Sequence, residues 1–169
     1  YWNYDVLDFC FIRNMYFPTE SMIAEIKNFA PVLLTNYGSS QAILNKKLSY
    51  VLQYKEERLV VLNGASQIYP IISDLIKDQK VLIPDPSFGE YNRVFNVSDV
   101  YTDNGEFDCK LIEDKIKKNS NVVFVNPNNP TGSVLKSSWV IKMIDKYPKK
   151  FFIVDESFIE FSNEKSIIE

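Results

Sequence analysis

From about residue 59 the chain alternates short β-branched runs with longer stretches of helical periodicity, and this alternation constrains its fold more than any other feature. The runs are Leu59-Val60-Val61-Leu62, Lys80-Val81-Leu82-Ile83, Asp99-Val100-Tyr101-Thr102, Asn121-Val122-Val123-Phe124-Val125 and Phe151-Phe152-Ile153-Val154. Strand and helix in strict succession build βαβ units, whose strands pair in parallel. The expected architecture is therefore α/β: a mostly parallel sheet of five strands with helices on both faces.

The intervening helices carry their own start and stop signals. Ile68, Ile72, Leu75 and Ile76 repeat at helical spacing, and Pro70 fits only in a first turn, so this helix is expected to begin near Ser66. Asp108 reads as the N-cap of a helix with Leu111, Ile112 and Ile116, and Ser137 or Ser138 as that of one with Trp139, Val140, Met143 and Ile144, ended by Tyr147-Pro148. Upstream, Thr19 caps a stripe of Met22, Ile23, Ile26 and Phe29, and a second stripe holds Leu44, Leu48, Val51 and Leu52. Both are read as packing faces. Residues 1–40 have no strong period, which suits wrapping around a neighbour. The organisation expected is one partial domain, with an N-terminal arm and helices over 1–58 and the five strands over 59–169.

Composition removes whole classes of chemistry. The chain has no histidine, which excludes Ser-His-Asp and Cys-His nucleophiles, the His-Glu-x-x-His zinc helix and every His-ligated metal. No metal site is expected. Its 19 basic and 22 acidic residues leave a net charge of −3, which does not suit a polyanion binder, so no nucleic-acid partner is expected. Cys10 and Cys109 stand alone, giving neither a disulfide framework nor a zinc knuckle and favouring a reducing compartment, with cytoplasm the default. The uncharged stretch 28–45 is too polar to span a bilayer, and neither a membrane partner nor a signal peptide is expected. Because the chain starts at Tyr1 rather than Met, it is expected to be part of something longer.

Ligands of open parallel sheets bind beyond the carboxyl ends of the strands, so the residues just after each strand matter most. Asn63-Gly64-Ala65-Ser66-Gln67 is a small flexible turn leading into a helix; its free N–H groups and hydroxyl suit an anion, phosphate above all, or Ser66 is an ordinary N-cap. In Pro84-Asp85-Pro86-Ser87-Phe88-Gly89-Glu90-Tyr91, two prolines deliver Phe88 near a strand end, where its ring either stacks on a planar ligand or joins the core. Asn126-Pro127-Asn128-Asn129-Pro130-Thr131-Gly132 packs three amides into seven residues, more than turn-making requires, and is expected to hold a carboxamide rigidly at the site mouth. The Asn129-Pro130 bond is expected to be cis, and another X-Pro bond of this loop is a further candidate. Asp155-Glu156 follows what reads as a buried central strand; a carboxylate there needs a compensating partner, such as a cationic ligand nitrogen, or else the pair caps a helix.

Together these segments resemble the first half of the large domain of a fold-type I enzyme dependent on pyridoxal 5′-phosphate. The resemblance runs from about Asp8 to Phe161 and is strongest to the aminotransferase branch that includes histidinol-phosphate aminotransferase and threonine-phosphate decarboxylase. Residues 126–132 and Asp155-Glu156-Ser157-Phe158-Ile159-Glu160-Phe161 carry it. It implies that Gly64, Ala65 and Ser66 bind the cofactor phosphate, that Phe88 stacks on the pyridine ring and that Asn129 hydrogen-bonds the phenolic oxygen. Asp155 is implied as the acid that keeps the pyridinium nitrogen protonated, so that the ring accepts the electrons of a broken α-carbon bond. Tyr37 resembles a tyrosine that reaches the phosphate of a neighbouring subunit's cofactor, which implies a homodimer.

Two departures accompany the resemblance. Phe158 stands where many aminotransferases place a tyrosine, and decarboxylase-like members often carry phenylalanine at that position. The Schiff-base lysine and the arginine that grips the substrate carboxylate come later in the family than Glu169, and Lys165, in a surface-like Asn-Glu-Lys-Ser setting, is too close to Asp155 to substitute. The implied activity is transfer of an amino group between an amino acid and a keto acid or aldehyde, with the fragment alone inactive. Decarboxylation of a phosphorylated amino acid is the alternative, and a non-catalytic aminotransferase-like module a third. A nicotinamide-binding domain is disfavoured, since no Gly-x-Gly-x-x-Gly follows any strand. In the family, two later strands separate those matching 59–62 and 151–154, so a gap in the sheet is expected, filled by another chain, further polypeptide or rearranged strands.

Overall fold

The computed structural model describes residue 14 and residues 16–77, 79–95 and 97–168; Tyr1, Asp8 and Cys10, named above, lie outside them. The chain divides into two compact units, Tyr1–Val61 and Leu62–Glu169. In the first, helix α1 (Glu20–Thr35) starts where the N-cap rule places it, with the Met22 N–H donating to Thr19 Oγ1 at 3.4 Å. Helix α2 (Gln41–Leu52) ends at Gln53, which takes the left-handed conformation with φ 52°. Neither helix buries a residue: Met22, Ile23, Ile26 and Phe29 are exposed, as are Val51 and Leu52, while Leu44 and Leu48 are half-buried, so neither stripe is the fully buried packing face expected.

The second unit contains the sheet. Strands β1 (Val81–Asp85), β2 (Val97–Thr102), β3 (Asn121–Val125) and β4 (Phe151–Asp155) lie in the order β2-β1-β3-β4, every pair parallel. Helices α3 (Ile68–Ile76), α4 (Gly89–Val94), α5 (Cys109–Ile116) and α6 (Ser137–Lys146) connect and cover them. Side chains alternate across a strand, and the core divides accordingly. Val81, Ile83, Val123 and Val125 pack with Tyr69, Ile76, Tyr91 and Phe95 of the α3 and α4 layer, whereas Leu82, Val122 and Phe124 pack with Ile112, Ile116, Val140 and Met143 of the α5 and α6 layer.

The fifth expected strand is absent: Leu59-Val60-Val61-Leu62 forms no ladder, although Leu59 has extended dihedrals of −113° and 140°. A strand is a property of a pair, and β propensity without a partner leaves only extended chain. The same reasoning corrects the placement of residues 151–155. β4 is the edge of the described sheet rather than a buried central strand, Phe151 is exposed and the other four residues are half-buried.

The N-cap expectations for Thr19 and Asp108 hold, and those for Ser137 or Ser138 and for Ser66 are revised. Asp108 Oδ1 accepts from the N–H groups of Lys110 and Leu111 at 3.0 Å each, and α6 stops before Tyr147-Pro148. Neither Ser137 nor Ser138 caps α6. Ser137 is its first residue, and its N–H donates at 2.9 Å to Glu164, which returns from beyond β4, while its hydroxyl donates to the Lys165 carbonyl. The helix after residue 62 begins as a 3-10 turn over Ala65–Gln67 that runs into α3, with Pro70 in the first α-helical turn.

Candidate functional site

The strand ladder sets the site's geometry. Val125 and Asp155 are opposite each other at the carboxyl ends of β3 and β4, and the Asn126 N–H donates to the Asp155 carbonyl at 2.8 Å. The Asn-rich loop and Asp155 therefore leave the sheet at the same edge. The segment after β1 joins them there, because Asn128 Nδ2 donates to the Pro86 carbonyl at 2.8 Å and Ser87 Oγ donates to Asn128 Oδ1 at 3.1 Å.

Two of the loop's three amides do build the turn, contrary to the sequence reading. Asn126, fully buried, accepts from the Leu135 N–H at 2.8 Å and donates to the Leu135 carbonyl at 2.9 Å. Buried Asn128 faces Asp103, to which it donates at 2.7 Å. Thr131 Oγ1 and Ser133 Oγ donate to the same carboxylate, the latter at 2.6 Å, as does the Gly105 N–H at 3.0 Å. Burial raises the Asp103 pKa, but the hydrogen bonds from Ser133, Thr131 and Asn128 outweigh it and hold the carboxyl below its ordinary value. Gly132, at φ +72°, takes the left-handed backbone that closes the loop onto the Asn128 carbonyl at 2.7 Å. The Asn126-Pro127 and Asn129-Pro130 bonds are both cis, in agreement with the sequence-based expectation.

Asn129 is the exception. It is half-buried, and its side chain makes no hydrogen bond among the described residues. Asp155 is half-buried on the α3 and α4 side of the sheet. The Tyr91 hydroxyl donates to its Oδ2, and the N–H and hydroxyl of Ser157 donate to its Oδ1, the former at 2.9 Å. The neighbouring Glu156 faces elsewhere, accepting from the Ile167 N–H at 2.9 Å and from the Ser166 hydroxyl. Burial, and then the hydrogen bond to Asp155, push the Tyr91 phenol far above its ordinary pKa. Tyr69 is raised too, by burial and by the Asp155 charge, and its ring meets Tyr91 edge-on at 5.7 Å.

Phe88, which the sequence left between ligand and core, is 41% exposed at the start of α4 and touches Tyr91 edge-on at 6.4 Å. Gly64, Ala65 and Ser66 lead into α3 one turn ahead of Tyr69, with Gly64 at φ +85°. Ser66 does not cap: its hydroxyl has no partner among the described residues, and Gln67 instead reaches back to accept from the Asn63 N–H at 2.7 Å. Tyr37 is fully exposed between α1 and α2, in the other unit. Lys165 is exposed, as its surface-like setting implied.

The structure adds Tyr91 and Asp103 to the residues named from sequence. Tyr91 carried a usable signal, because three residues after Phe88 on a helix is the spacing of side chains that meet. Asp103 directly follows β2, where the strand-end rule also applies, yet apart from the Gly105 N–H its partners are polar side chains some 25–30 positions downstream, beyond the reach of local pattern.

A parallel sheet between helical layers, with a carboxylate and a free amide at its carboxyl edge, is the large-domain architecture of pyridoxal-phosphate transferases. The family described as Aminotransferase class I and II matches residues 14–169, and the chain belongs to that family. It is 33% identical over 152 residues to a histidinol-phosphate aminotransferase of Bacillus pumilus, covering 84% of this chain and 40% of that protein. It is 30% identical over 178 residues to an L-serine phosphate decarboxylase of Sulfurospirillum multivorans, covering 94% of the chain and 44% of the relative. The solved histidinol-phosphate aminotransferase of Clostridium acetobutylicum superposes with a TM-score of 0.73 at 29% identity, over 88% of this chain and 47% of that one. The chain thus spans less than half the length of these relatives.

Pyridoxal 5′-phosphate is the family's cofactor. The donor set fits it: an amide and a hydroxyl with no partner of their own, an exposed aromatic face, and a carboxylate whose oxygens are fixed by neutral donors. Among the described residues no helix is long and apolar enough to cross a membrane.

Proposed function

We propose that this chain is the N-terminal half of the catalytic domain of an aminotransferase that moves an amino group between an amino acid and a keto acid or aldehyde. The observation that carries the reading is the division of labour in the Asn-rich loop. Asn126 and Asn128 are consumed by the fold, while Asn129 is held at the same sheet edge as Asp155 with its amide unspent. In this reading Asn129 donates to the cofactor's phenolic oxygen, Phe88 covers one face of the ring, and Gly64, Ala65 and Ser66 bind the phosphate. When bound, the cofactor supplies an electron sink for the bond broken at the substrate's α-carbon.

Asp155 holds a proton on the pyridine nitrogen. Its Oδ1 accepts both Ser157 donors, whereas Oδ2 accepts only from Tyr91 and keeps lone-pair capacity for that further contact. Tyr91, its phenol kept protonated, fixes the carboxylate without neutralising it. Tyr37, fully exposed, is assigned to a second subunit's site in a homodimer, residues 1–58 to the N-terminal arm and helices, and the protein to the cytoplasm. The Schiff-base lysine is assigned to sequence outside these 169 residues.

A second reading, decarboxylation of a phosphorylated amino acid, is favoured by Phe158, whose ring packs on Phe161 at 6.2 Å and brings no hydroxyl to the site. The first reading is tested by titrating the purified chain with pyridoxal phosphate and reducing with borohydride. Reversible binding weakened by Asp155→Asn and Asn129→Ala, with no trapped lysine, is expected; a specific adduct at Lys165 overturns the half-site assignment. Product analysis on phosphorylated amino acids with the longer protein separates the two activities.

A further inference from the structure

We propose that Asp103 is a positioning residue for Asn129: a buried anion around which the loop presenting the free amide is wound. The inference rests on the reading of Asn129 as a cofactor contact. Asp103 is 2% exposed, and its hydrogen-bond partners are all neutral. Burying a carboxylate without a counter-ion is costly unless several donors surround it. Three of the four donors flank Asn129: Asn128 and Thr131 of the Asn-rich loop, and Ser133, the residue that follows the loop.

Only Asn129 and Pro130 lie between anchored Asn128 and anchored Thr131. Bonds from the Asn128 N–H to the Ser133 carbonyl at 2.9 Å and from the Gly132 N–H to the Asn128 carbonyl at 2.7 Å close the loop on itself. The anchor sits at a distance: Asp103 follows β2, and the Asn128 side chain reaches it across the end of β1, touching the Pro86 carbonyl on the way. The carboxylate ties the ends of β2 and β3 together, Asn128 and the Asp103 N–H add the end of β1 through Pro86 and Asp85, and one amide of the loop is left unpaired.

The test is a double-mutant cycle on the full chain, with pyridoxal phosphate as the probe. Asn129→Ala is expected to weaken its binding about tenfold, the equivalent of one net hydrogen bond. Asp103→Asn, which keeps the shape, is expected to weaken binding by about threefold to tenfold, and an unchanged affinity would overturn the proposal. The double variant is expected to match Asn129→Ala to within about twofold, because a positioning residue has nothing left to position. Losses that multiply would show that Asp103 acts independently of Asn129 and overturn the proposal alone. No loss in Asn129→Ala would overturn the reading of Asn129 itself, and the proposal with it.

Amide exchange gives a second readout that needs no cofactor. Asp103→Asn should accelerate exchange at Asn128 and Gly132 about tenfold by local opening while leaving Val123 and Ile153 unchanged. Unchanged exchange at Gly132 would overturn the proposal. If Asp103→Asn does not fold, Ser133→Ala, which removes one donor and keeps the carboxylate, takes its place in both experiments.

Discussion

Replacing Tyr91 by phenylalanine removes one hydroxyl and almost nothing else. Tyr91 is 2% exposed, its ring stacked on Phe95 at 6.1 Å and edge-on to Tyr69 at 5.7 Å, and phenylalanine keeps these contacts. What is lost is the donor to Asp155 Oδ2, a hydrogen bond to a charged acceptor of the kind that contributes ~1.5–3 kcal/mol. Asp155 is half-buried, so water offsets part of the loss and a destabilisation of ~1.5 kcal/mol is expected at neutral pH. For a chain of this size that lowers Tm by about 3–6 °C.

The pH dependence is the sharper part of this prediction. The folded phenol's pKa lies far above that of the unfolded tyrosine, so its contribution is complete below pH ~10 and is lost as pH rises further. The slope approaches ~1.4 kcal/mol per pH unit above ~10, so the stability gap between wild type and Tyr91→Phe should close near pH ~11 and reverse beyond it. Urea unfolding followed by Trp139, whose indole packs edge-on against Phe124 at 5.8 Å, measures the gap. A gap that stays constant from neutral pH to beyond that crossing would refute the claim that Tyr91 is a buried proton donor to Asp155.

Two further outcomes follow from the loop. Asn126→Ala strips both hydrogen bonds from the buried Leu135 backbone and should cost about 2–5 kcal/mol in urea unfolding; a loss below ~1 kcal/mol would show that the clamp is dispensable. Because the folded pKa of Asp103 is depressed, its contribution is present above the ordinary carboxylate value of ~3.9 and is lost as pH falls through the folded value. Asp103→Asn should therefore show a shallower acid limb in stability against pH, and parallel limbs in the two proteins would contradict it.

What could be read from the sequence is what local chemistry decides. Asp108 and Thr19 cap helices because a cap bonds to residues two or three positions away. The β-branched runs from Val81 onward form strands because each finds a neighbour. Leu59-Val60-Val61-Leu62 has the same composition and forms none, since propensity cannot supply a partner. The cap of α6 was unreadable for a related reason: Glu164 lies 27 residues beyond the Ser137 N–H it accepts from. At the carboxyl edge, the positions of Asp155, Asn129 and Phe88 were legible because each closely follows a strand; the cofactor roles given to them are the proposal made above. The roles of Asn126 and Asn128 were not legible, because whether an amide serves the fold or a ligand depends on what faces it. Leu135 and Asp103 are distant in sequence.

The pairing of β3 with β4 has a consequence for how such a chain tolerates change in length. Asp155 shares the parity of Ile153, which packs on the α3 and α4 side, and Val154 that of Phe152, which packs on the other. Removing one residue inside β4 would turn the carboxylate toward the apolar layer of Phe124 and Met143 and away from Tyr91. The turn at 147–150, by contrast, precedes the ladder, and added residues there leave the register unchanged. Length variation is thus free in the connection and forbidden a few residues later, and the boundary between the two regimes falls at Phe151.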